Sequence, residues 1–270
     1  DGMAVTWRLK EGMKWSDGEA INCDDVIATW KWNMDPDQTG LVGGTTGWED
    51  ITGIDGAGTT TCVMRFSKLY SGYLSLVSHV LPEHYISTVP VAEAVTGLYP
   101  MGDPTSGVYS GPYIPTEVLT DAQITMAPNP NWETIGGHAP YLDGVIWKYY
   151  GDAAAMVAGY RAGEVDVAVD LNDADIPSLS DLPQEEVKIA DALQYELHAF
   201  NNKVFKERFG DDYKTIIRAI MTATDRQAIA AGPLAGTVDP TNNFVSPLAW
   251  YYKDLGEVPA ADTAAAEQML

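Results

Sequence analysis

The 270-residue chain has few basic residues, only two cysteines and no long apolar run, and each shortage excludes a class of protein. Its 16 Lys and Arg are outnumbered by 38 Asp and Glu, so the formal net charge is −22. Because binding to nucleic acid or to an anionic membrane surface requires clustered positive charge, the composition argues against both partners. No stretch approaches the roughly 20 consecutive apolar residues of a membrane-spanning helix. The two cysteines lack the spacing of a zinc site, and no metal or other cofactor is expected.

Apolar side chains are abundant enough to build a packed core, since 46% of the residues are hydrophobic and 10% are aromatic. Periodicity and turn residues predict strands over residues 5–9, 51–55, 60–66, 123–127, 144–150, 165–169 and 195–200. The same signals predict helices over residues 22–34, 73–80, 152–163, 211–223 and 262–270. Helices that alternate with strands indicate the α/β class.

Few residues of the sequence match a known catalytic motif. The four histidines include no pair at metal-binding helical spacing, and Ser110 is one residue out of step with a nucleophile elbow. Glu164 and Asp166 lie two apart on a predicted strand and so share a face, about 6.6 Å apart along it, near the separation of paired hydrolase carboxylates. A solvated or capping role at the start of the strand explains them more simply in so acidic a chain. We therefore expect no enzyme, with a carboxylate-pair glycoside hydrolase as a remote alternative.

The two cysteines, Cys23 and Cys62, leave two interpretations open. One falls at the start of a predicted helix and the other on a predicted strand of the same segment. A disulfide between them fits an oxidising compartment, whereas two free thiols fit a reducing one. The Cα separation decides between the two, and a sequence does not contain it.

Eight short motifs, in order along most of the chain, together resemble one family, the family 5 extracellular solute-binding proteins. These proteins serve ABC importers for oligopeptides, dipeptides, nickel complexes and some oligosaccharides. The motifs are WRLKEGMKWSDG at residues 7–18, DDV at 24–26, SGPY at 110–113, NPNW at 129–132, PYLD at 140–143, AGEVD at 162–166, FN at 200–201 and IRAIMTATDR at 217–226.

The resemblance implies a periplasmic-binding-protein-like (class II) two-lobe α/β fold with an extra small α/β domain. It places a small accessory domain at residues 1–95, part of lobe one at 96–191 and the start of lobe two at 192–270. Because family members are longer at both ends, the resemblance implies a fragment whose second lobe is incomplete. We therefore expect residues 1 to about 190 to pack well and residues 200–270 to pack poorly.

The resemblance also implies a function: capture of a short peptide or peptide-like solute between two lobes, for delivery to an ABC transporter permease. An oligosaccharide or a nickel complex is the alternative ligand. The expected protein is a monomer, periplasmic or extracellular, that meets the membrane only through a lipid anchor or the permease.

Ligand contacts are expected from the loop after the first helix and from two crossings between the lobes. The loop contributes Thr45, Thr46 and Trp48, whose ring is expected either to stack on a ligand or to pack between domains. The crossings contribute the remaining candidates, which are Asp170, Asn172, Gln194, Tyr195 and Leu197.

Overall fold

The computed structural model describes residues 2–37, 45–91, 104–183, 187–190, 193 and 195–270. The chain forms two compact units, Asp1–Tyr150 and Gly151–Leu270. The predicted division of this chain into domains at 1–95, 96–191 and 192–270 stays a prediction. Within this chain the boundary between compact units comes at residue 150. Residues 109–135 are hydrogen-bonded to residues 10–16, and these bonds keep them in the first unit.

The first half of unit 1 is a three-stranded antiparallel sheet with helices packed on it. Its strands are β1 (Met3–Arg8), β2 (Ile51–Asp55) and β3 (Thr61–Phe66), in the order β1-β3-β2. Its helices are α1 (Cys23–Asn33), α2 (Tyr73–Leu76) and α3 (Glu83–Ile86). Alternate strand residues face the helices, and these inward side chains build the core with α1. The largest buried cluster consists of Cys23, Val26, Trp48, Ile51, Cys62, Met64, Phe66 and Leu76.

Helix α1 begins where the sequence predicts. The Asn22 side chain accepts a hydrogen bond from the Asp24 N–H at 2.6 Å, and the Asp25 carboxylate accepts one from the Asn22 N–H at 2.9 Å. Asn22 and Asp25 also form a capping box, in which the side chain of each accepts the backbone N–H of the other. The box satisfies backbone donors that a helix start leaves without partners. Helix α2, in contrast, ends at Leu76 and is shorter than predicted, because the Ser75 and Ser78 hydroxyls bond nearby carbonyls and favour turns over helix.

The disulfide that the sequence left open is formed. The sulfur atoms of Cys23 and Cys62 are 2.07 Å apart, their Cα atoms are separated by 5.5 Å, and both residues are fully buried. The bond ties the first residue of α1 to the central strand β3. It therefore closes a covalent loop through the middle of the core.

Asp25 connects three parts of unit 1 through one buried carboxylate. Its oxygens accept hydrogen bonds from the Trp15 indole at 3.3 Å, the Asn22 N–H at 2.9 Å and the Glu83 N–H at 2.9 Å. Burial raises the pKa of Asp25, and the three hydrogen bonds and the nearby His84 lower it by less. The carboxylate thus holds the turn around Trp15, the start of α1 and the start of α3 together.

The second half of unit 1 is another antiparallel sheet, with β4 (Tyr113–Leu119), β5 (Gln123–Pro128) and β6 (Val145–Lys148) in that order. Helix α4 (Trp132–Gly136) follows β5. Asn131 joins this half to the first, because its amide donates to the carbonyls of Trp15 at 2.9 Å and Ser16 at 3.2 Å. Ser16 in turn exchanges two hydrogen bonds with the backbone of Tyr109, at 2.8 and 3.0 Å. Two of the family-like motifs, WSDG and NPNW, therefore meet at this junction.

Unit 2 is built from helices in the part of it that the structure describes. They are α5 (Ala153–Arg161), α6 (Asn202–Phe209), α7 (Tyr213–Ala223), α8 (Arg226–Ala231) and α9 (Thr263–Met269). Asp152, Asn201, Asp225 and Asp262 each accept a backbone N–H at the start of α5, α6, α8 and α9. Helix α7 packs against α9.

Two predicted strands are wrong. Residues 165–169 and the described residues of 195–200 have extended or irregular backbone, outside any sheet. Their alternating pattern is suited to a strand, but a strand also needs a neighbouring strand to complete its hydrogen bonds. Among the residues of unit 2 that the structure describes, none supplies that neighbour.

Candidate ligand-binding residues

The loop before β2 holds three of the predicted ligand contacts, and its side chains have different environments. Trp48 is only 8% exposed and belongs to the core cluster, where its carbonyl accepts a hydrogen bond from the Trp30 indole at 3.3 Å. Thr45 is half-buried, and its hydroxyl donates to Glu49 at 3.0 Å. Thr46 is exposed. The ring of Trp48 therefore anchors the loop, and among the described residues the hydroxyl of Thr46 is open to solvent.

The first predicted crossing lies in unit 2 and is a sharp turn at the surface. Asp170 is exposed and has a φ of 58°, in the left-handed region that Asp tolerates better than most residues. Asn172 is also exposed, and its N–H donates to the Asp175 carboxylate at 3.0 Å, just before the 3-10 helix Asp173–Leu179. The backbone is thereby fixed while both polar side chains remain accessible.

The second predicted crossing is only partly described. Gln194 lies outside the described residues. Tyr195 and Leu197 are 48% and 60% exposed, so each presents a large apolar surface. Within the described residues, no hydrogen bond joins Asp170 or Asn172 to either of them. The structure places these candidates in one unit and the loop residues Thr45 to Trp48 in the other.

The carboxylate pair considered from sequence is not preorganised for hydrolysis. Glu164 and Asp166 are both exposed and follow the end of α5, where the Glu164 N–H donates to the Gly159 carbonyl at 2.9 Å. Since residues 165–169 form no strand, the shared face that the argument required is missing. Among the described residues, no group of three or more His, Cys, Asp or Glu side chains is placed to hold a metal ion.

Sequence reasoning missed a groove of about 510 Å³ on helix α7. Lys214, Arg218 and Arg226 line it together with apolar side chains that include Ile217 and Met221. The signal was present, because residues 214, 217, 218 and 221 have the three- and four-residue spacing of one helix face. Periodicity alone does not separate such a face from an ordinary core stripe.

None of the helices described here is long and apolar enough to cross a membrane.

Comparisons with known proteins give a consistent result. A sequence model described as "Bacterial extracellular solute-binding proteins, family 5 Middle" matches residues 1–270. The oligopeptide-binding protein AppA of Bacillus subtilis (strain 168) is 29% identical over 267 residues, which cover 96% of this chain and 46% of AppA. The chain thus spans about half the length of the curated relatives it matches.

Solved structures agree with the sequence match. The structure of Bacillus subtilis AppA in complex with a nonapeptide has a TM-score of 0.74 and 25% identity, covering 98% of this chain and 51% of that one. NikZ from Campylobacter jejuni, in complex with Ni(L-His), has a TM-score of 0.75 at 17% identity, covering 100% of this chain and 51% of NikZ. The predicted class II two-lobe α/β fold is confirmed, and this chain carries about half of it. By the match over its whole length, the chain belongs to the bacterial extracellular solute-binding proteins of family 5.

Proposed function

We propose that the protein captures a short peptide or peptide-like solute for delivery to an ABC transporter permease. The observation that carries this proposal is the family match over all 270 residues. Relatives named as oligopeptide- and dipeptide-binding proteins support the choice of a peptide. The Ni(L-His) complex of NikZ, a similarity of fold alone, makes a nickel complex an alternative to test.

Ligand capture of this kind works by closure of two lobes on the solute. The closed state is favoured only to the extent that the ligand contacts both lobes, since a ligand shifts an equilibrium by its difference in affinity for the two states. We assign the contacts to Thr45 and Thr46 in unit 1 and to Asp170, Asn172, Gln194, Tyr195 and Leu197 in unit 2. Trp48 acts by holding its loop in place. Exposed carboxylate and amide groups at residues 170 and 172 suit the polar backbone and amino terminus of a peptide.

The family's proteins work outside the cytoplasmic membrane, and we place this one in the periplasm or at the cell surface. In this proposal it acts as a monomer without catalysis. It is held at the membrane by a lipid anchor or by docking on the permease.

A thermal-shift screen of the full-length protein tests the choice of ligand. A ligand that binds only the folded state stabilises it by about 2.7 kcal/mol at 100 times its Kd, which raises the Tm measurably. The screen contains dipeptides to nonapeptides, Ni(L-His), and cello- and xylo-oligosaccharides. A rise in Tm with peptides alone supports the proposal. A rise only with the nickel complex or the sugars would contradict it and identify that solute as the ligand. Glycoside turnover that is lost in Glu164→Gln would contradict the non-enzymatic part.

A variant pair tests the assigned contacts. Asp170→Asn removes the charge but keeps a side chain that tolerates the left-handed backbone, and we expect it to weaken peptide binding about tenfold through loss of a charge-assisted hydrogen bond. Asp239→Asn is the matched control, because Asp239 is also an exposed carboxylate of unit 2. Equal binding by both variants, measured by calorimetry, would remove Asp170 from the site.

A further inference from the structure

The bond between Cys23 and Cys62 is closed to solvent in the folded protein. Neither side chain has any exposed surface, and both belong to a buried cluster with Val26, Met64 and Phe66, all of unit 1. A longer chain can cover this core further but does not uncover it. The two sulfur atoms are therefore out of reach of any reagent for as long as unit 1 stays folded.

Backbone hydrogen bonds close the core on the side of both cysteines. The Cys23 N–H donates to the Thr59 carbonyl at 2.9 Å, and the Gly58 N–H donates to the Asp24 carboxylate at 3.1 Å. These bonds fasten the turn between β2 and β3 to the first turn of α1. Cys62 lies on β3, the middle strand of its sheet, which has a partner strand on each side. A reagent therefore reaches either sulfur only after this part of unit 1 has opened.

Formation of the bond requires a partner that accepts two electrons. In thiol–disulfide exchange, one cysteine thiolate attacks a sulfur of a donor disulfide and expels a donor thiolate, which leaves a mixed disulfide on the protein. The second cysteine thiolate then attacks the protein sulfur of the mixed disulfide and expels the other donor thiolate. Two protein thiols are thereby oxidised, the donor disulfide is reduced to two thiols, and the two thiol protons end on the donor. Because the donor must touch a cysteine sulfur, this exchange precedes the packing of unit 1.

The two cysteines have opposite charges beside them in the unfolded chain. Asp24 and Asp25 follow Cys23 directly, and their carboxylates disfavour a thiolate at this position because like charges repel. Cys62 has no acidic residue within six positions on either side, and Arg65 lies three positions after it, which favours the thiolate. Since the thiolate is the form that attacks a disulfide, Cys62 is the more reactive thiol of the unfolded chain.

We propose that a disulfide donor acts on this chain before unit 1 packs, and that Cys62 is the residue on which the mixed disulfide forms. Cys23 then attacks the Cys62 sulfur and closes the bond. The partner is identified by its chemistry, an exchangeable disulfide, and the charges beside the two cysteines set the order of attack. The inference is independent of the solute contacts proposed above, because it concerns the unfolded chain.

Reduction of the folded protein tests whether the bond is closed once unit 1 has packed. Full-length wild type is incubated with dithiothreitol in native buffer and in urea that unfolds it, and the thiols released at Cys23 and Cys62 are alkylated and measured by mass spectrometry. We expect reduction in native buffer to be more than about 100-fold slower, because it must wait for unit 1 to open. A smaller difference would show that a donor reaches the sulfur atoms in the folded state and would overturn the proposal.

Single-cysteine variants of the full-length protein, unfolded in urea so that effects on folding do not enter, test the order of attack. Cys23→Ser retains Cys62, Cys62→Ser retains Cys23, and the probe is bis(2-hydroxyethyl) disulfide, which is uncharged and so reports on the thiolates alone. At low salt we expect the mixed disulfide to form about threefold faster on Cys62, because the thiolate fraction is smaller at Cys23.

The matched control adds Asp24→Asn and Asp25→Asn to the Cys62→Ser variant. Without the two carboxylates, the rate at Cys23 should rise about threefold, to that of Cys62, since their repulsion no longer opposes the thiolate. Equal rates at the two cysteines before this change, a faster reaction at Cys23, or no response to the two substitutions would overturn the proposal.

Discussion

The two compact units differ in what fills their interiors. Unit 1 buries large side chains, including Trp15, Val26, Met64 and Phe66, and crosses its core with a disulfide. Among the residues of unit 2 that the structure describes, the buried hydrophobic ones are three alanines, Val157 and Leu179, while Trp250 and Phe244 are 93% and 73% exposed. Because burial of a large apolar side chain stabilises a fold by about 1.5–3 kcal/mol, and of an alanine by much less, the stability of this chain resides mainly in unit 1.

The distribution of tryptophan makes the comparison measurable. Seven of the eight tryptophans lie in unit 1, and Trp250 is the one in unit 2. In a Trp250→Phe background, tryptophan fluorescence therefore reports the unfolding of unit 1 alone, while circular dichroism near 222 nm also follows the helices of unit 2. Two separate transitions, with unit 2 unfolding at lower urea, are expected.

The largest effect should come from removing the disulfide. Replacing both Cys23 and Cys62 by Ala opens a loop between residues 39 apart. We expect unit 1 to lose about 3–4 kcal/mol, mainly because the unfolded chain gains freedom. Urea unfolding followed by fluorescence in the Trp250→Phe background measures the loss. A change below about 1 kcal/mol would show that packing alone holds unit 1.

Removing the Asp25 carboxylate should cost about 2–4 kcal/mol, because Asp25→Ala leaves three donors without their partner. The cost should depend on pH. Since the pKa of Asp25 in the folded state is raised above its ordinary value of 3.8, the folded protein holds this proton more tightly than the unfolded chain does. The contribution of Asp25 to the free energy of unfolding of wild type is therefore largest below pH 3.8 and smallest above the raised pKa.

The measurement for Asp25 is the difference in unfolding free energy between wild type and Asp25→Ala at several pH values. The difference should shrink as the pH rises from 3.8 through the raised pKa. Asp24→Ala removes the neighbouring carboxylate and controls for the loss of an acidic side chain from the first turn of α1. A difference for Asp25→Ala that grows with pH would contradict the assignment.

A smaller effect should follow at the junction between the two halves of unit 1. Asn131→Ala removes two hydrogen bonds to the carbonyls of Trp15 and Ser16, and we expect a cost of about 1–2 kcal/mol. Asn243→Ala removes a similar bond in unit 2, to the Lys253 carbonyl at 2.7 Å, and should leave the fluorescence transition in place. If the two variants shift the fluorescence transition equally, the two units unfold together, and the expectation of separate transitions is wrong.

The smallest effect should come from the most exposed aromatic. Trp250→Ser removes a ring that is 93% exposed, so the free energy of unfolding should change by no more than about 0.5 kcal/mol. Light scattering on heating should fall, because large exposed apolar groups promote association. A loss of more than 1 kcal/mol would mean that unit 2 packs on this ring.

Local signals predicted much of the fold. The caps at Asn22 and Asp152 and the strand at residues 123–127 are confirmed, because caps and amphipathic strands are encoded by residues close in sequence. Poor packing after residue 200 is confirmed by Phe244 and Trp250. The expected good packing up to about residue 190 is wrong, since among the described residues beyond 91 large buried side chains are rare.

The candidate site was less predictable. An aromatic ring such as that of Trp48 can stack on a ligand or pack in a core. Which of the two it does depends on the shape of the surrounding core, and in this structure the ring is buried in that core. The α7 groove was missed because Pro259 and Ala260, distant in sequence from Lys214, complete its wall. The periodicity of a sequence does not show which distant segments come together in the fold.

By itself, the sequence determined the family, the α/β class, the acidic charge and the positions of the helix caps, because these depend on composition and on neighbours within a few residues. Only the tertiary structure decided that Cys23 and Cys62 are bonded, that Asp25 joins three segments, and that residues 165–169 form no strand. Each of these depends on the distance between residues far apart in the chain. Sheets, disulfides and grooves form only when such residues meet, and a one-dimensional pattern does not contain those distances.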